Sequence, residues 1–516
     1  MRAVSALVLI LLLGLALRVY PAIHHPGMFM EPDVYIYYSV ASQTLAHNMT
    51  ITSQLSGVPP NRYSEFPGLV LVPASLALLT GYSPGLFIEW LPVLMGLLGI
   101  LLVYLLAYEF MHTRWMALLA SFLYAVLPAA LYRSMAGEYR GEVFVPVFLA
   151  AIMLLLIKTD RRTAWWTVPP AIGLAALSIW FWSGGIYVLV PIGLFICAAL
   201  AFKLFPRVLK RTAADPLLKN RLTYAVLVAG AMIAYPLALY LFSYFANLVG
   251  GFTKFQTSFI SELAPVSVSY LFTYYAWVFI AAIIGLGLMV YYGRKETFYK
   301  PQFALFSLFL PSIVMMSLAA RWLILFAVPG TIYGAYAVFA LFSMFPVPKR
   351  TQMIIVVGLC AVALMLGLDM ILPLAPADFI NPQFLSALSW LRANTAANAT
   401  ILTMWPDGSV VEGYALRESY SDSIMSQDTN YTIGFERFLY AKAGNYTYLD
   451  KVNPTYLLVR QPWLYETYGI LIEVGYPLNT SYNGTNMQQF LQINGTRAPP
   501  YPVAYKNNDT IIYRIG

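Results

Sequence analysis

Charge is what this 516-residue sequence has least of: 10% of its residues are charged and 60% are hydrophobic. A soluble globular chain carries roughly 25% charged residues, so the composition is that of a polytopic membrane protein. Cysteine is nearly absent. Cys197 and Cys360 both lie inside hydrophobic runs, which excludes a disulfide framework and a thiolate metal site. The four histidines build no metal site, and His24 and His25 read as solvated loop residues. No nucleophile–base pattern, phosphate-cradling glycine loop, haem motif, internal repeat or low-complexity tract is present.

The formal net charge is +8, and most of the basic residues before Leu374 sit in short runs between hydrophobic segments: "KTDRRT" (Lys158 to Thr163), "KLFPRVLKRTAADPLLKNR" (Lys203 to Arg221), "GRKETFYK" (Gly293 to Lys300) and "PKR" (Pro348 to Arg350). That placement is the positive-inside pattern of a membrane protein and implies no nucleic acid. With those runs as cytoplasmic anchors, spans fall near 3–21, 85–108, 115–132, 143–157, 164–182, 184–202, 223–247, 269–291, 302–318, 322–345 and 352–373. The expected fold class is a polytopic α-helical membrane protein with about 11 to 13 transmembrane helices, a span taking about 20 apolar residues. Its N-terminus is cytoplasmic and its C-terminus is extracytoplasmic. "MRAVSALVLILLLGLALRVY" is read as a retained first helix rather than a signal peptide, because no convincing small-residue cleavage site follows Arg18. "FPGLVLVPASLALLTG" (Phe66 to Gly81) is read as interfacial or re-entrant, since counting it as a span would put "KTDRRT" outside.

This topology gathers charge on the outer face. One outer loop holds "MEPDVYIYY" with Asp33, a second holds "MAGEYRGEVFVP" with Glu138, Arg140 and Glu142, and a third holds "FISELAP" with Glu262. Arg321 lies in a fourth outer turn. Charged residues at membrane depth are costly and by default mark a functional site. Asp33, Glu142 and Glu262, with Glu138 in reserve, form an oxygen-ligand cage suited to Mg²⁺ or Mn²⁺. Arginines beside such a metal suit a phosphate or pyrophosphate, and Arg133, Arg140 and Arg321 are the candidates. Arg133 and Arg140 equally fit a snorkelling role or pairing with Glu138. A transporter keeps its charges near the midplane, on broken helices. Here they gather at the outer edge, which favours an enzyme acting on a lipid-borne substrate.

From about Leu374 the composition turns polar, dividing the chain into a transmembrane part (1–373) and an extracytoplasmic C-terminal domain (374–516) of α/β type. Helices are expected at Pro382 to Ala393 and Tyr431 to Ala443. Strands are expected at Ala399 to Met404, at Thr455 to Val459, and as a terminal pair around "YPVAYKNNDTIIYRI" with "KNND" at the turn. N-x-S/T sequons stand at Asn398, Asn430, Asn445, Asn479, Asn483, Asn494 and Asn508, with Asn48 in the first outer loop. All lie on the side read as outside, where such asparagines accept glycans.

Taken together, these segments resemble the catalytic subunit of oligosaccharyltransferase in its archaeal single-subunit form. "EPDVYIYY" resembles the first-loop acidic motif, with Asp33 as metal ligand. "RSMAGEYRGEVFVP" resembles the second-loop motif, an alanine–glycine step followed by two acids one residue apart. Arg140 falls where the first acid belongs and Glu142 at the second, so Glu142 is the better ligand, with Glu138 as substitute. "FISELAP" resembles the fifth-loop motif through Glu262, and "AARWLILFAVPG" resembles the arginine segment that contacts the carrier's phosphate, through Arg321. "TMWPDGSVVEGYALR" (Thr403 to Arg417) resembles the Trp-Trp-Asp-Tyr-Gly signature that recognises the acceptor's Ser or Thr. Met404, Trp405, Pro406, Asp407 and Gly408 fill its five places, so the acid has slipped by one. No match to the family's further C-terminal helical motif is found.

The resemblance implies a glycosyltransferase-C membrane part and metal-dependent transfer of an oligosaccharide from a dolichyl phosphate or pyrophosphate to asparagine in N-x-S/T. It also implies no obligatory partner subunit. Asp33 and Glu262 are the acids assigned to the acceptor amide. Another polyprenyl-dependent glycosyltransferase, for protein O-mannosyl or lipid glycosyl transfer, would share the first-loop acid without needing "FISELAP" or Trp405 to Gly408. A transporter or flippase predicts no dependence on Asp33.

Overall fold

The computed structural model describes residues 2–51, 67–160, 162–204, 266–292, 300–318, 320–345, 347–372, 380–420, 434–435, 437–460, 486–491 and 500–516. They fall into two compact units. The first draws on Met1–His24, Trp90–Ala246 and Ser261–Leu374, the second on His25–Glu89, Asn247–Ile260 and Ala375–Gly516. The second unit therefore joins the Asp33 segment to the C-terminal stretch, a grouping absent from a linear division at residue 373.

The first unit is helical. Its helices are α1 (Arg2–His24), α4 (Pro84–Met111, whose first turns belong to the second unit), α5 (Arg114–Val126), α6 (Pro128–Tyr132), α7 (Gly141–Lys158), α8 (Ala164–Phe181), α9 (Leu189–Leu204), α10 (Val268–Tyr275), α11 (Trp277–Tyr292), α12 (Lys300–Leu318), α13 (Leu323–Met344) and α14 (Lys349–Ile371). Among the described residues, six helices are long and apolar enough to cross a membrane: Ala3–His24, Pro84–Met111, Gly141–Lys158, Ala164–Phe181, Ala320–Met344 and Lys349–Ile371. The expected span near 115–132 is cut in two at Pro128, which cannot supply the amide that a continuous helix needs. That near 269–291 is interrupted at Ala276, whose φ is +48°. The span expected at 223–247 lies outside the described residues.

Burial separates core from periphery. Helix α13 is buried almost all round and packs against α5, α11 and α12. A Cβ at Gly285 of α11 would lie 2.1 Å from the carbonyl oxygen of Tyr333, so only glycine lets these two helices come so close. Helices α8 and α14 instead expose Trp165, Trp166, Ile172, Met353, Val357 and Met365. Apolar surface on this scale needs a bilayer to cover it. The chain is a multi-pass membrane protein.

In the second unit, α2 (Pro32–Ala46) packs on α3 (Pro67–Thr80) through Ile36, Val40, Ala41, Val70 and Ala74. Fourteen residues make α3 only about 21 Å long, short of a bilayer's hydrocarbon core of about 30 Å. The C-terminal sheet has the order β2-β1-β3-β5-β4. Here β1 (Thr400–Leu402) pairs in parallel with β2 (Glu418–Ser419) and β3 (Tyr456–Arg460), while β5 (Thr510–Arg514) runs antiparallel to β3 and to β4 (Val503–Lys506). The expected strands are present, and β2 is an addition. At the "KNND" turn the Asn507 side chain accepts from the amides of Asp509 and Thr510 at 2.9 and 2.8 Å. The expected helix at 382–393 forms as α15 (Pro382–Asn394), its first turn capped by Asn381 Oδ1 accepting from the Phe384 amide at 2.7 Å. Of the helix expected at 431–443, residues 434–435 and 437–439 are helical and 440–443 are not, while 431–433 and 436 lie outside the described residues.

Candidate functional site

The second outer loop is buried rather than solvated. After α6 the chain turns through Arg133 to Arg140, with Gly137 at φ +81°, a left-handed conformation that suits glycine at the alanine–glycine step. Arg133 Nη1 donates to Glu138 Oε1 at 2.8 Å, and Glu138 is fully buried. Of the two roles left open for Arg133, pairing with Glu138 is the one observed. Arg140, also buried, occupies the N-cap of α7. Glu142 then falls in the first turn of α7, where the helix's positive end favours a carboxylate.

Arg321 lies in a single 3₁₀ turn, Ala320–Trp322, ahead of α13. Its Nε and Nη2 donate to Glu142 Oε1 at 3.1 and 2.7 Å. Its guanidinium lies 5.7 Å from the Trp182 ring centroid, and Trp182 packs on Trp322. A Cβ at Gly141 would stand 2.3 Å from Trp182, so glycine there lets the indole reach the start of α7. The structure thus joins two residues proposed for different tasks, an acid for the metal and an arginine for the phosphate.

In the second unit, Asp33 is half-buried in the first turn of α2, behind Pro32 at the first helical position. Helix α2 lies directly on the segment that resembles the acceptor signature. That segment folds as a short helix, α16 (Trp405–Val410), running into a π-helical turn, Val411–Ala415. Single π turns recur at functional sites. The two come close at Gly413, where a Cβ would lie 2.5 Å from the Tyr35 carbonyl oxygen and 2.6 Å from Tyr35 Cβ. Burial pushes the Tyr35 hydroxyl up to about 12, so it stays protonated, and it accepts a hydrogen bond from the Phe29 amide at 3.2 Å. Gly413→Ala is expected to force the two elements apart, destabilising this unit by about 1–3 kcal/mol; an unchanged thermal melt followed by circular dichroism would refute this.

Asp407 is not open to solvent. Its carboxylate receives Arg460 Nη1 at 2.7 Å, and Arg460 Nε donates to Asp509 at 2.9 Å. Arg460 is itself buried, lying 4.0 Å above the Phe384 ring. Met404 and Gly408 are buried, and Trp405 is partly exposed. The other end of the segment is held by Arg417, which donates to the carbonyls of Arg392, Thr395, Ala415 and Leu416 and to Thr395 Oγ1.

Carboxylates such as those of Asp33 and Glu142 are the oxygen ligands a hard divalent cation takes. Among the described residues no three His, Cys, Asp or Glu side chains form a metal-binding group. Glu262, the third acid of the expected cage, lies outside those residues, as do Asn430, Asn479, Asn483 and Asn494. Asn48, Asn398, Asn445 and Asn508 are all exposed. Sequence reading passed over Arg18, Trp182, Gly413 and Arg460. Of these only Arg18, a charge inside an apolar run, carried a signal.

The acid–arginine pairs Arg133–Glu138 and Arg321–Glu142 lie in a helical membrane unit, and an α/β unit bears a further acid, Asp33. The fold is that of the archaeal oligosaccharyltransferases. An Archaeoglobus fulgidus oligosaccharyltransferase tethered with an acceptor peptide containing the NVT sequon aligns at a TM-score of 0.68 and 16% identity, over 100% of this chain and 74% of that one. The archaeal oligosaccharyltransferase AglB from A. fulgidus, in complex with an inhibitory peptide and a dolichol-phosphate, aligns at 0.66 and 16%, over 93% and 72%. A complex of the A. fulgidus enzyme with Zn and sulfate aligns at 0.64 and 16%, over 99% and 73%. In sequence, dolichyl-phosphooligosaccharide-protein glycotransferase 2 of A. fulgidus is 28% identical over 170 residues, 30% of this chain. That match spans 27% of the relative's length. No protein-family model matches the chain.

Proposed function

We propose that this chain transfers an oligosaccharide from a dolichyl phosphate or pyrophosphate to the asparagine of N-x-S/T sequons in exported polypeptides, with a divalent metal. The observation that carries the reading is the docking of the Asp33 helix on the Trp405–Ala415 segment within one compact unit. It sets an acid for the acceptor amide against the segment that would select the acceptor.

An asparagine amide is a poor nucleophile, because its nitrogen lone pair is delocalised into the carbonyl. The rotation barrier of about 18–20 kcal/mol measures that resonance. Carboxylates of Asp33 and Glu262 accepting the two N–H bonds would hold the amide twisted and offset the charge that develops. Asp33, Glu142 and Glu262 are the residues that would hold Mn²⁺ or Mg²⁺, with Glu138 as substitute. Bound there, the metal supplies Lewis-acid stabilisation of the departing phosphate. Arg321, already poised on Glu142, meets the carrier's phosphate, with Arg133 and then Arg140 in support. Trp405, Met404 and Gly408 form the surface for the acceptor hydroxyl, and Asp407 orients that surface through Arg460. An acceptor lacking the hydroxyl would leave polar groups there unpaired.

The membrane part is assigned to donor binding and residues 374–516, with the Asp33 segment, to acceptor recognition. The N-terminus is cytoplasmic and the C-terminal domain faces outward. A single chain suffices, in the absence of any obligatory partner subunit.

The test is transfer to a fluorescent N-x-T peptide in membranes supplying native lipid-linked oligosaccharide, with Mn²⁺, with EDTA, and with an N-x-A control. Transfer that needs both the metal and the threonine is expected. Metal-dependent consumption of donor without peptide modification would point instead to another polyprenyl-dependent transferase.

A further inference from the structure

Arg18 is a fully buried guanidinium in the first membrane helix. A charge at that depth is costly and calls for a reason. Its bonds go to uncharged groups: Nε donates to Ser134 Oγ at 2.8 Å, and Nη1 to the carbonyls of Ala125 and Gly14 at 3.0 and 3.1 Å. Ala125 lies in the last turn of α5, where carbonyls lack helical partners and a cation is favoured. Nη2 is buried with no hydrogen-bond partner, a cost that packing alone does not explain.

The backbone of Arg18 holds the same loop, its carbonyl accepting from the Ala136 amide at 2.9 Å. Side chain and backbone therefore grip Ser134 and Ala136, on either side of the buried Met135. Arg133 directly precedes the gripped stretch, and its partner Glu138 follows the Gly137 turn. Room for the guanidinium comes from Gly96 of α4, where a Cβ would lie 2.3 Å from Nε.

We infer that Arg18 is a positioning residue for the donor phosphate: it fixes the Arg133–Glu138 turn, so that Arg133 is presented to the carrier in one orientation. It touches neither acceptor nor metal and acts only through that turn. The inference rests on the proposed function for the identity of the ligand, a polyprenyl phosphate.

The experiment measures equilibrium binding of dolichyl phosphate and, separately, of an N-x-T peptide to the purified full chain in detergent. Wild type is compared with Arg18→Lys, Ser134→Ala and Gly96→Ala. Arg18→Lys keeps the charge but loses the fork, and Ser134→Ala deletes one bond, so a folded variant remains even if Gly96→Ala does not fold. Dolichyl phosphate affinity is expected to fall on the order of tenfold in Arg18→Lys, and less in Ser134→Ala, with peptide affinity unchanged. A merely structural role would weaken both ligands together or lower only the melting temperature, and either result overturns the inference. So does unchanged donor affinity in Arg18→Lys and Ser134→Ala. A wild type that binds dolichyl phosphate with this dependence yet transfers no glycan would sink the proposed reaction and leave the inference standing; a wild type that does not bind it overturns both.

Discussion

Asp33→Asn is expected to lower glycan transfer to an N-x-T peptide by on the order of 10³-fold, with the acceptor KM within about twofold of wild type. Asparagine matches aspartate in shape and is equally at home in the first turn of a helix. Helix α2 should therefore stay docked on α16 and the π turn, and the surface around Trp405 should be unchanged. What goes is a negative charge at a helix start, and with it the proposed acceptor for the amide hydrogens and a candidate metal ligand. A loss confined to kcat is the mark of an interaction made in the transition state. Asp33→Glu is the companion variant, for it restores charge but displaces it by one methylene. Partial recovery there, with a shifted metal requirement, would separate the two roles. Transfer by Asp33→Asn at a tenth of the wild-type rate or better, still sensitive to EDTA, would remove Asp33 from the catalytic set.

What the sequence disclosed and what it hid divide along physical lines. Hydropathy reports long apolar runs directly, so spans such as 141–158 and 349–371 were legible within a few residues. Strands in the C-terminal domain were legible because alternation and turn residues are local signals, as at Asn507 to Thr510. Breaks in helices were less so: Pro128 was visible, but the positive φ of Ala276 has no sequence mark. The acid–arginine pairing across 179 positions, Glu142 with Arg321, could be suspected only by assigning both to one outer face. Gly413 and Gly141 were invisible because their importance lies in what their absent side chains let approach. The pairing of Asp407 was hidden for a related reason. An acid next to a tryptophan in a loop-like segment suggests an open site, whereas its guanidinium partner stands 53 residues away on a central strand.

That partner carries the other large effect. Arg460→Leu is expected to destabilise the C-terminal sheet by about 3–5 kcal/mol, since it strands two buried carboxylates, Asp407 and Asp509, without their cation. Against a total of about 5–15 kcal/mol for a domain, that brings the unit close to unfolding at ambient temperature. The pH dependence should also change sign. In the wild type, burial by itself would raise Asp509, but the hydrogen bonds and charge of Arg460, with bonds from Thr510 and Asn381, outweigh it and hold the carboxyl below the usual range. Its contribution to stability is then present above the ordinary carboxylate value and is lost as pH falls through the folded-state value. Without Arg460 the desolvation remains and only the bonds from Thr510 and Asn381 are left against it, so the Asp509 carboxyl should titrate above its unfolded value. Stability of the variant should accordingly increase, relative to wild type, as pH falls from 7 towards about 5, a range over which the Asp509 contribution in the wild type is constant. Thermal melts of both proteins across that range, followed by circular dichroism, read the sign directly. If Arg460→Leu melts within about 1 kcal/mol of wild type and shows the same acid profile, the buried triad is not what holds the Trp405–Ala415 segment to the sheet.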